Sequence, residues 1–387
     1  MIPYGRQNIN DADVQAVVEV LRSDFLTQGP AIPRFEKDVA DYCGARYGVA
    51  VSNATAGLHI ACLAAGLGPG DWLWTSPNTF VASSNCALYC GADVDFVDID
   101  PVTYLMSVEA LERKLQETPQ ERLPKIVVPV HFAGQSCDMV AIKELARKYG
   151  FLIVEDAAHS IGGSYRESKI GSCRYSDMTV FSFHAVKVIT TGEGGMVMTE
   201  NEELYQRLIR LRSHGISRDV ELLTEKDAGP FYYEQLELGF NYRMTDIQAA
   251  LGSSQMLRLD QFVARRHELV SRYDELLADL PLKLPFQKPD SYSAHHLYVV
   301  RVDTGRASRS RRQVFDAMRD AGVLVNVHYI PVHTQPYYRR LGFDWGQFPE
   351  AEQYYREAIT LPLYFDLQEN EQNHVVESLR LAFEGIP

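Results

Sequence analysis

Between Gly48 and Phe183, short runs of nearly unbroken apolar residues alternate with stretches of helical periodicity, and that alternation limits the possible folds more than any other feature of the chain. Gly48–Ser52, Trp72–Ser76, Asp93–Asp98, Lys125–Val130, Phe151–Glu155 and Met178–Phe183 read as strands. The helical stretches include an Ala/Leu-rich run to about Ala65, then Val81–Cys90, Ser107–Leu115 and Met139–Lys148. A strand apolar on both faces must be covered on both faces, and crossover helices supply that cover while keeping successive strands parallel. The expected class is α/β, a mostly parallel mixed sheet flanked by helices. At 387 residues the chain suits a large domain, 1–250, followed by a smaller α+β domain, 251–387.

Ligands of such sheets bind beyond the carboxyl ends of the strands, and three ends carry polar chemistry. In SDMTVFSFHAVKVITTGEGG (Ser176–Gly195) the strand runs to Ser182 and Phe183, and Lys187 follows ahead of the small-residue loop Thr190–Gly195. A lysine so placed is a candidate amine nucleophile, which needs desolvation or a neighbouring cation to lower its pKa. A solvated strand-end lysine is the plainer reading. Asn53-Ala54-Thr55-Ala56-Gly57 joins a strand directly to a helix, where free N–H groups and the helix dipole can hold a phosphate. It is neither GxxxxGK nor GxGxxG, and a capped core helix explains it equally well. Asp156, in FLIVEDAAHS (Phe151–Ser160), is predicted just past an apolar strand, where a carboxylate needs a cation or a donor. An internal ion pair and the protonated ring nitrogen of a cofactor both meet that need. Phe80 reads as core or as an aromatic platform. An amine, a hydroxyl at Ser182, an anion-binding helix start, a carboxylate and an aromatic face are together what pyridoxal 5'-phosphate requires.

Composition narrows the partners. A net charge of −13 argues against nucleic acid, which calls for a basic patch or stripe. Six scattered cysteines, without CxxC pairs, read as free thiols rather than a zinc site. The opening MIPYGRQNINDADV lacks a basic segment and an apolar core, so no signal peptide is expected. No run approaches the roughly 20 apolar residues of a membrane span. A cytoplasmic protein without membrane contact is the expectation.

Beyond Gly239 a long helical stretch, Thr245–Ala278, leads to strands Leu297–Val302 and Val323–His328 and helices Ser308–Asp320, Glu350–Ile359 and Asn370–Phe383. His295, His296, His328 and His333 lack paired carboxylates at ligand spacing, so core or substrate contacts are expected and no metal.

SFHAVK followed by TTGEGG, with VEDAAHS upstream and LGFNYRMTDIQAALG downstream, resembles the DegT/DnrJ/EryC1/StrS nucleotide-sugar aminotransferases, from Tyr4 to the LPLY at Leu361–Tyr364. The resemblance implies a fold-type I pyridoxal phosphate enzyme working as a homodimer with shared sites. By motif position Lys187 resembles the lysine that carries the cofactor, Asp156 the partner of the pyridine nitrogen, and Ser182 with the backbone at Ala54 and Thr55 the phosphate ligands. Phe80 stands where the stacking aromatic stands, and Asn241 where a residue reaches the neighbouring subunit's cofactor phosphate. His159 occupies a position where many relatives carry glutamine, so packing against the ring and direct chemistry both remain open. Ala185 departs from a proline common in the family.

Lys187, where a dehydrating branch has histidine, implies amino transfer from L-glutamate, which leaves as 2-oxoglutarate. Tyr4, DFLTQGP (Asp24–Pro30) and NVHYIP (Asn326–Pro331) are most similar to the branch on the pseudaminic acid route. That branch converts a UDP-linked 4-keto-6-deoxy-N-acetylhexosamine to UDP-4-amino-4,6-dideoxy-N-acetyl-β-L-altrosamine. Other UDP-4-keto sugars, of the legionaminic, bacillosamine or aminoarabinose routes, are the alternative. The implied substrate contacts are Tyr4, Asp24, Phe25, Leu26, Thr27, Asn53, Ser182, Asn241, Val327, His328, Tyr329 and Ile330.

Overall fold

The computed structural model describes residues 1–226 and 229–385. Its centre is a seven-stranded sheet of Tyr47–Val51 (β1), Trp72–Thr75 (β2), Asp93–Phe96 (β3), Ile126–Val128 (β4), Leu152–Asp156 (β5), Met178–Ser182 (β6) and Gly195–Thr199 (β7). Their order is β1-β7-β6-β5-β4-β2-β3. β7 is antiparallel to both neighbours, and the remaining pairs are parallel. The sheet is therefore mixed and mostly parallel, as the alternation of elements predicts. Gly195, at the start of β7, stands in register with Val51 on one side and Ser182 on the other.

β6 and β7 are buried along their whole length because both faces are covered. Val180 and Val197 face one core together with Leu58, Ile60 and Ala61 of helix Ala54–Ala64. Phe181, Met196 and Met198 face the other, with Phe35 and Val39 of helix Ala31–Cys43. Gly57 brings the first helix close to the sheet: a Cβ there would lie 3.0 Å from Val180 Cγ1.

A third core gathers Leu269, Tyr273, Val300, Val314, Ile359 and Leu379 around a three-stranded antiparallel sheet, Tyr298–Val302 between Leu282–Lys283 and Ala358–Leu361. Ile2 belongs to this core, and Ile2–Pro3 pairs in parallel with Val323–Leu324. Leu363 N–H donates to the Tyr4 carbonyl at 3.0 Å, so the chain start is bound to the C-terminal segment.

Some predicted bounds are corrected. Asp156 is the last residue of its strand rather than the first beyond it. Thr245–Ala278 is two helices, Asp246–Met256 and Leu259–Leu276; the break at Leu257–Arg258 lets Arg258 reach Asp13 and Asn8, each at 2.5 Å. Only Val323–Leu324 of Val323–His328 is strand, because the following residues turn toward the site. Glu350–Ile359 ends as a helix at Glu357; Ile359 and Thr360, β-branched and buried, pair instead with Val300 and Val299. No helix among the described residues is long and apolar enough to cross a membrane.

Candidate active site

The carboxyl ends of β1, β5 and β6 open on one cavity of about 790 Å³. At β1 the chain passes through Asn53 into helix Ala54–Ala64. The Asn53 side chain accepts from Ala56 N–H at 2.8 Å and its carbonyl from Gly57 N–H at 3.1 Å. The amides of Ala54 and Thr55, the first two of the helix, have no helical acceptor and stand at the positive end of its dipole. Gly195 closes this cradle: a Cβ on it would lie 2.7 Å from Ala54 N. Asn53, Ala54, Thr55 and Ser182 all line the cavity.

Asp156 is buried at the end of β5. Its Oδ2 accepts from the Ser83 hydroxyl at 2.6 Å, and its Oδ1 from Ala158 N–H at 3.1 Å. Thr79 Oγ1 lies 2.6 Å from Ser83 Oγ, and because Ser83 gives its proton to Asp156, Thr79 donates to Ser83. Among the described residues no salt bridge neutralises Asp156, so its carboxylate is held by neutral donors and faces the cavity.

After β6 the chain turns tightly. Lys187 N–H donates to the His184 carbonyl, Thr191 N–H to the Phe183 carbonyl, and Phe183 N–H to the Gly194 carbonyl, each at 2.9 Å. This folds the small-residue loop back against the strand and sets Lys187 in the cavity wall. Burial lowers the Lys187 pKa to about 8, partly opposed by the charge of Asp156. The amine is desolvated and has no hydrogen-bond or ion-pair partner among the described residues, the state an amine nucleophile requires.

Imidazoles and phenols surround it. Burial, with the charge on Lys187, holds His159 and His296 well below the usual histidine range and His328 at about 4. His328 Nδ1 lies 2.9 Å from Thr360 Oγ1, and its ring is 5.2 Å from that of Tyr4. Burial also raises the Tyr329 phenol. Phe80 is 58% exposed, which excludes the core reading and leaves an open aromatic face at the cavity. This set fits pyridoxal phosphate: a half-buried amine without a partner among the described residues, a carboxylate, free amides at a glycine-tight helix start and an aromatic surface.

The structure brings Tyr4, Val327, His328 and Tyr329 to the cavity as well. Asp24, Phe25, Leu26, Thr27, Asn241 and Ile330 do not line it. The Asp24–Thr27 segment is attached to helix Asp246–Met256, where Asp246 N–H donates to the Leu26 carbonyl at 3.0 Å. Asn241 is exposed and bridges to Ser213. All six are exposed on this chain rather than set in the cavity wall.

Two contributors, Ser83 and Thr79, escape the sequence reading, whereas His296 belongs to the histidine group expected at the core or substrate. Ser83 and Thr79 differ by one helical turn, a spacing that puts them on one side of the chain but does not reveal Asp156 behind them. His296 lines the cavity with Nδ1 unpartnered among the described residues, and buried Arg266 fixes its backbone by donating to the His295 and His296 carbonyls at 3.1 and 3.3 Å. His333, from the same predicted group, lies instead 3.2 Å from Glu352.

Comparison with known proteins places this geometry. The family model described as the DegT/DnrJ/EryC1/StrS aminotransferase family matches residues 7–380. The chain is 39% identical over 387 residues to the spore coat polysaccharide biosynthesis protein SpsC of Bacillus subtilis, covering 99% of this chain and 97% of that one. Spr1654 of Streptococcus pneumoniae, described as a sugar aminotransferase, matches in its PLP form with a TM-score of 0.91 and 30% identity, over 100% of this chain and 99% of that one. Helicobacter pylori PseC, described as an aminotransferase of pseudoaminic acid biosynthesis, matches with a TM-score of 0.90 and 28% identity over 100% of both chains.

Proposed function

This chain belongs to the DegT/DnrJ/EryC1/StrS aminotransferase family and is a sugar aminotransferase whose cofactor is pyridoxal phosphate; on that premise we propose that it moves the amino group of L-glutamate to C4 of a UDP-linked 4-keto-6-deoxy-N-acetylhexosamine. The products are 2-oxoglutarate and UDP-4-amino-4,6-dideoxy-N-acetyl-β-L-altrosamine, as on the pseudaminic acid route. The observation that carries the reading is the desolvated, unpaired Lys187 opening on the same cavity as Asp156 and the free amides of Ala54 and Thr55. The match to PseC over both full chains supports the choice of sugar.

When bound, pyridoxal phosphate supplies an electron sink and a carrier for the amino group. The Ala54 and Thr55 amides and the Ser182 hydroxyl would hold its phosphate, Asp156 would meet its ring nitrogen, and Phe80 and His159 would offer ring surfaces. Lys187 Nζ would hold the cofactor at rest. During exchange its amine would take the proton from the donor Cα and deliver it to the cofactor's carbonyl carbon within the same half-reaction, and in the second half-reaction it would move a proton from that carbon to C4 of the sugar; a pKa near 8 suits a base working near neutrality. Tyr4, Asn53, Val327, His328 and Tyr329 bind the sugar from within the chain.

Asp24–Thr27, Ile330 and Asn241 complete the site of a second copy in a homodimer. Phe231 and Leu238, 77% and 79% exposed, and half-exposed Phe25 and Leu26 support that assembly, since they flank these segments with apolar surface. A cytoplasmic setting is part of this reading, and the six cysteines, all free and buried, support it.

The test is to supply glutamate with UDP-linked 4-keto-6-deoxy-N-acetylhexosamine epimers. Product from the L-arabino epimer alone supports the assignment; product from the D-xylo epimer alone contradicts it. A second reading, another UDP-4-keto sugar, is favoured by the higher identity to SpsC, a protein named for spore coat polysaccharide biosynthesis.

A further inference from the structure

His159 and Tyr329 come from distant parts of the chain and meet at the cavity wall. His159 Nδ1 accepts a hydrogen bond from Ala133 N–H at 3.2 Å. A ring nitrogen that accepts carries no proton, so the neutral imidazole has its proton on Nε2. Nε2 lies 3.1 Å from the Tyr329 hydroxyl, so it donates and the phenol oxygen accepts. The proton of Tyr329 must then point elsewhere. No group among the described residues accepts it, and Tyr329 lines the cavity.

The first link of this chain is itself fixed. Ala133 has a left-handed backbone, φ +59°, and its carbonyl accepts from Leu297 N–H at 3.3 Å. Beside it Gly134, at φ +108°, packs so closely that a Cβ would lie 2.7 Å from His295 N. The amide that determines the His159 tautomer therefore has little freedom to turn. Burial and the charge of Lys187 keep the ring neutral, so the donor and acceptor roles do not exchange near neutral pH.

We propose that His159 is a positioning residue that turns the Tyr329 hydroxyl so that its proton meets an acceptor oxygen of the bound sugar, a carbonyl or acetamido oxygen, making the pair a determinant of which sugar is accepted. This rests on the reading that a keto sugar enters the cavity. A site with an unpartnered donor discriminates against analogues lacking the matching acceptor, because the donor is then left unpaired.

Two measurements test it. In long-range proton–nitrogen spectra of the full chain labelled with 15N-histidine, with His159 assigned through H159Q, Nε2 should be protonated and Nδ1 bare; a proton on Nδ1 overturns the proposal. In sugar kinetics, Tyr329→Phe should lower kcat/KM roughly 10–100-fold, and the His159→Leu/Tyr329→Phe double variant should be no worse than Tyr329→Phe. His159→Gln, whose amide accepts and donates at the same two places, should recover to within roughly threefold of the wild type. Additive losses, or a glutamine no better than leucine, overturn the sugar contact alone. A wild-type enzyme that aminates none of the keto sugars overturns the functional reading, and the contact with it.

Discussion

Ser83 donates its hydroxyl proton to Oδ2 of Asp156 at 2.6 Å, and Thr79 stands 2.6 Å behind Ser83 to donate in turn. All three residues are buried. Among the described residues the carboxylate is oriented by neutral donors and makes no salt bridge, leaving its charge for a ligand. A hydrogen bond to a charged group contributes about 1.5–3 kcal/mol. Ser83→Ala should therefore weaken cofactor binding by about 10–150-fold, read by equilibrium dialysis. Ser83→Thr, which keeps the hydroxyl, should not.

Lys187 gives cofactor uptake a pH dependence of defined sign. The neutral amine is the reactive form, and its pKa is about 8 rather than 10.5. The rate at which cofactor-free enzyme takes up pyridoxal phosphate should rise with pH through about 8 and then level off. A rate still climbing steeply at pH ~10, as for an ordinary exposed lysine, would contradict the burial argument. Stopped-flow absorbance follows it. By linkage the unfolded chain binds a proton that the folded one releases between about 8 and 10.5, so the stability of the cofactor-free protein should increase with pH across that window.

Gly195 should tolerate no side chain. The added Cβ of Gly195→Ala would lie 2.7 Å from Ala54 N and 2.9 Å from Asn53 O, both backbone atoms, so strand and helix must separate. A loss of about 1–3 kcal/mol of stability is expected in urea, together with weaker binding of the cofactor phosphate.

The lysine, the carboxylate and the helix start were legible because each adjoins a strand whose apolar run is continuous, and strand ends are where such sheets bind ligands. Ser83 was not, since its partner is 73 residues away and a serine in a helix does not announce what faces it. The antiparallel β7 follows directly on the Thr/Gly loop, which masks where the strand begins. Tyr4 reaches the cavity only because Ile2–Pro3 pairs with Val323–Leu324, a contact with no local signal. Asn241 and Asp24–Thr27 lie exposed on this chain, and only the proposed homodimer would give them a site.

That placement leads to a complementation test. Neither Lys187→Ala nor Asn241→Ala should support full activity alone. Co-refolded in equal amounts, they should regain about a quarter of wild-type activity, because half the dimers are mixed and each holds one intact site. No recovery would contradict a shared site.

The most direct test of amino transfer through Lys187 is to quantify both products after mixing enzyme, glutamate and the UDP-linked keto sugar. Wild-type enzyme should form 2-oxoglutarate and amino sugar in equal amounts, and Lys187→Ala should form neither. Turnover by the alanine variant, or a sugar product without 2-oxoglutarate, would contradict the account.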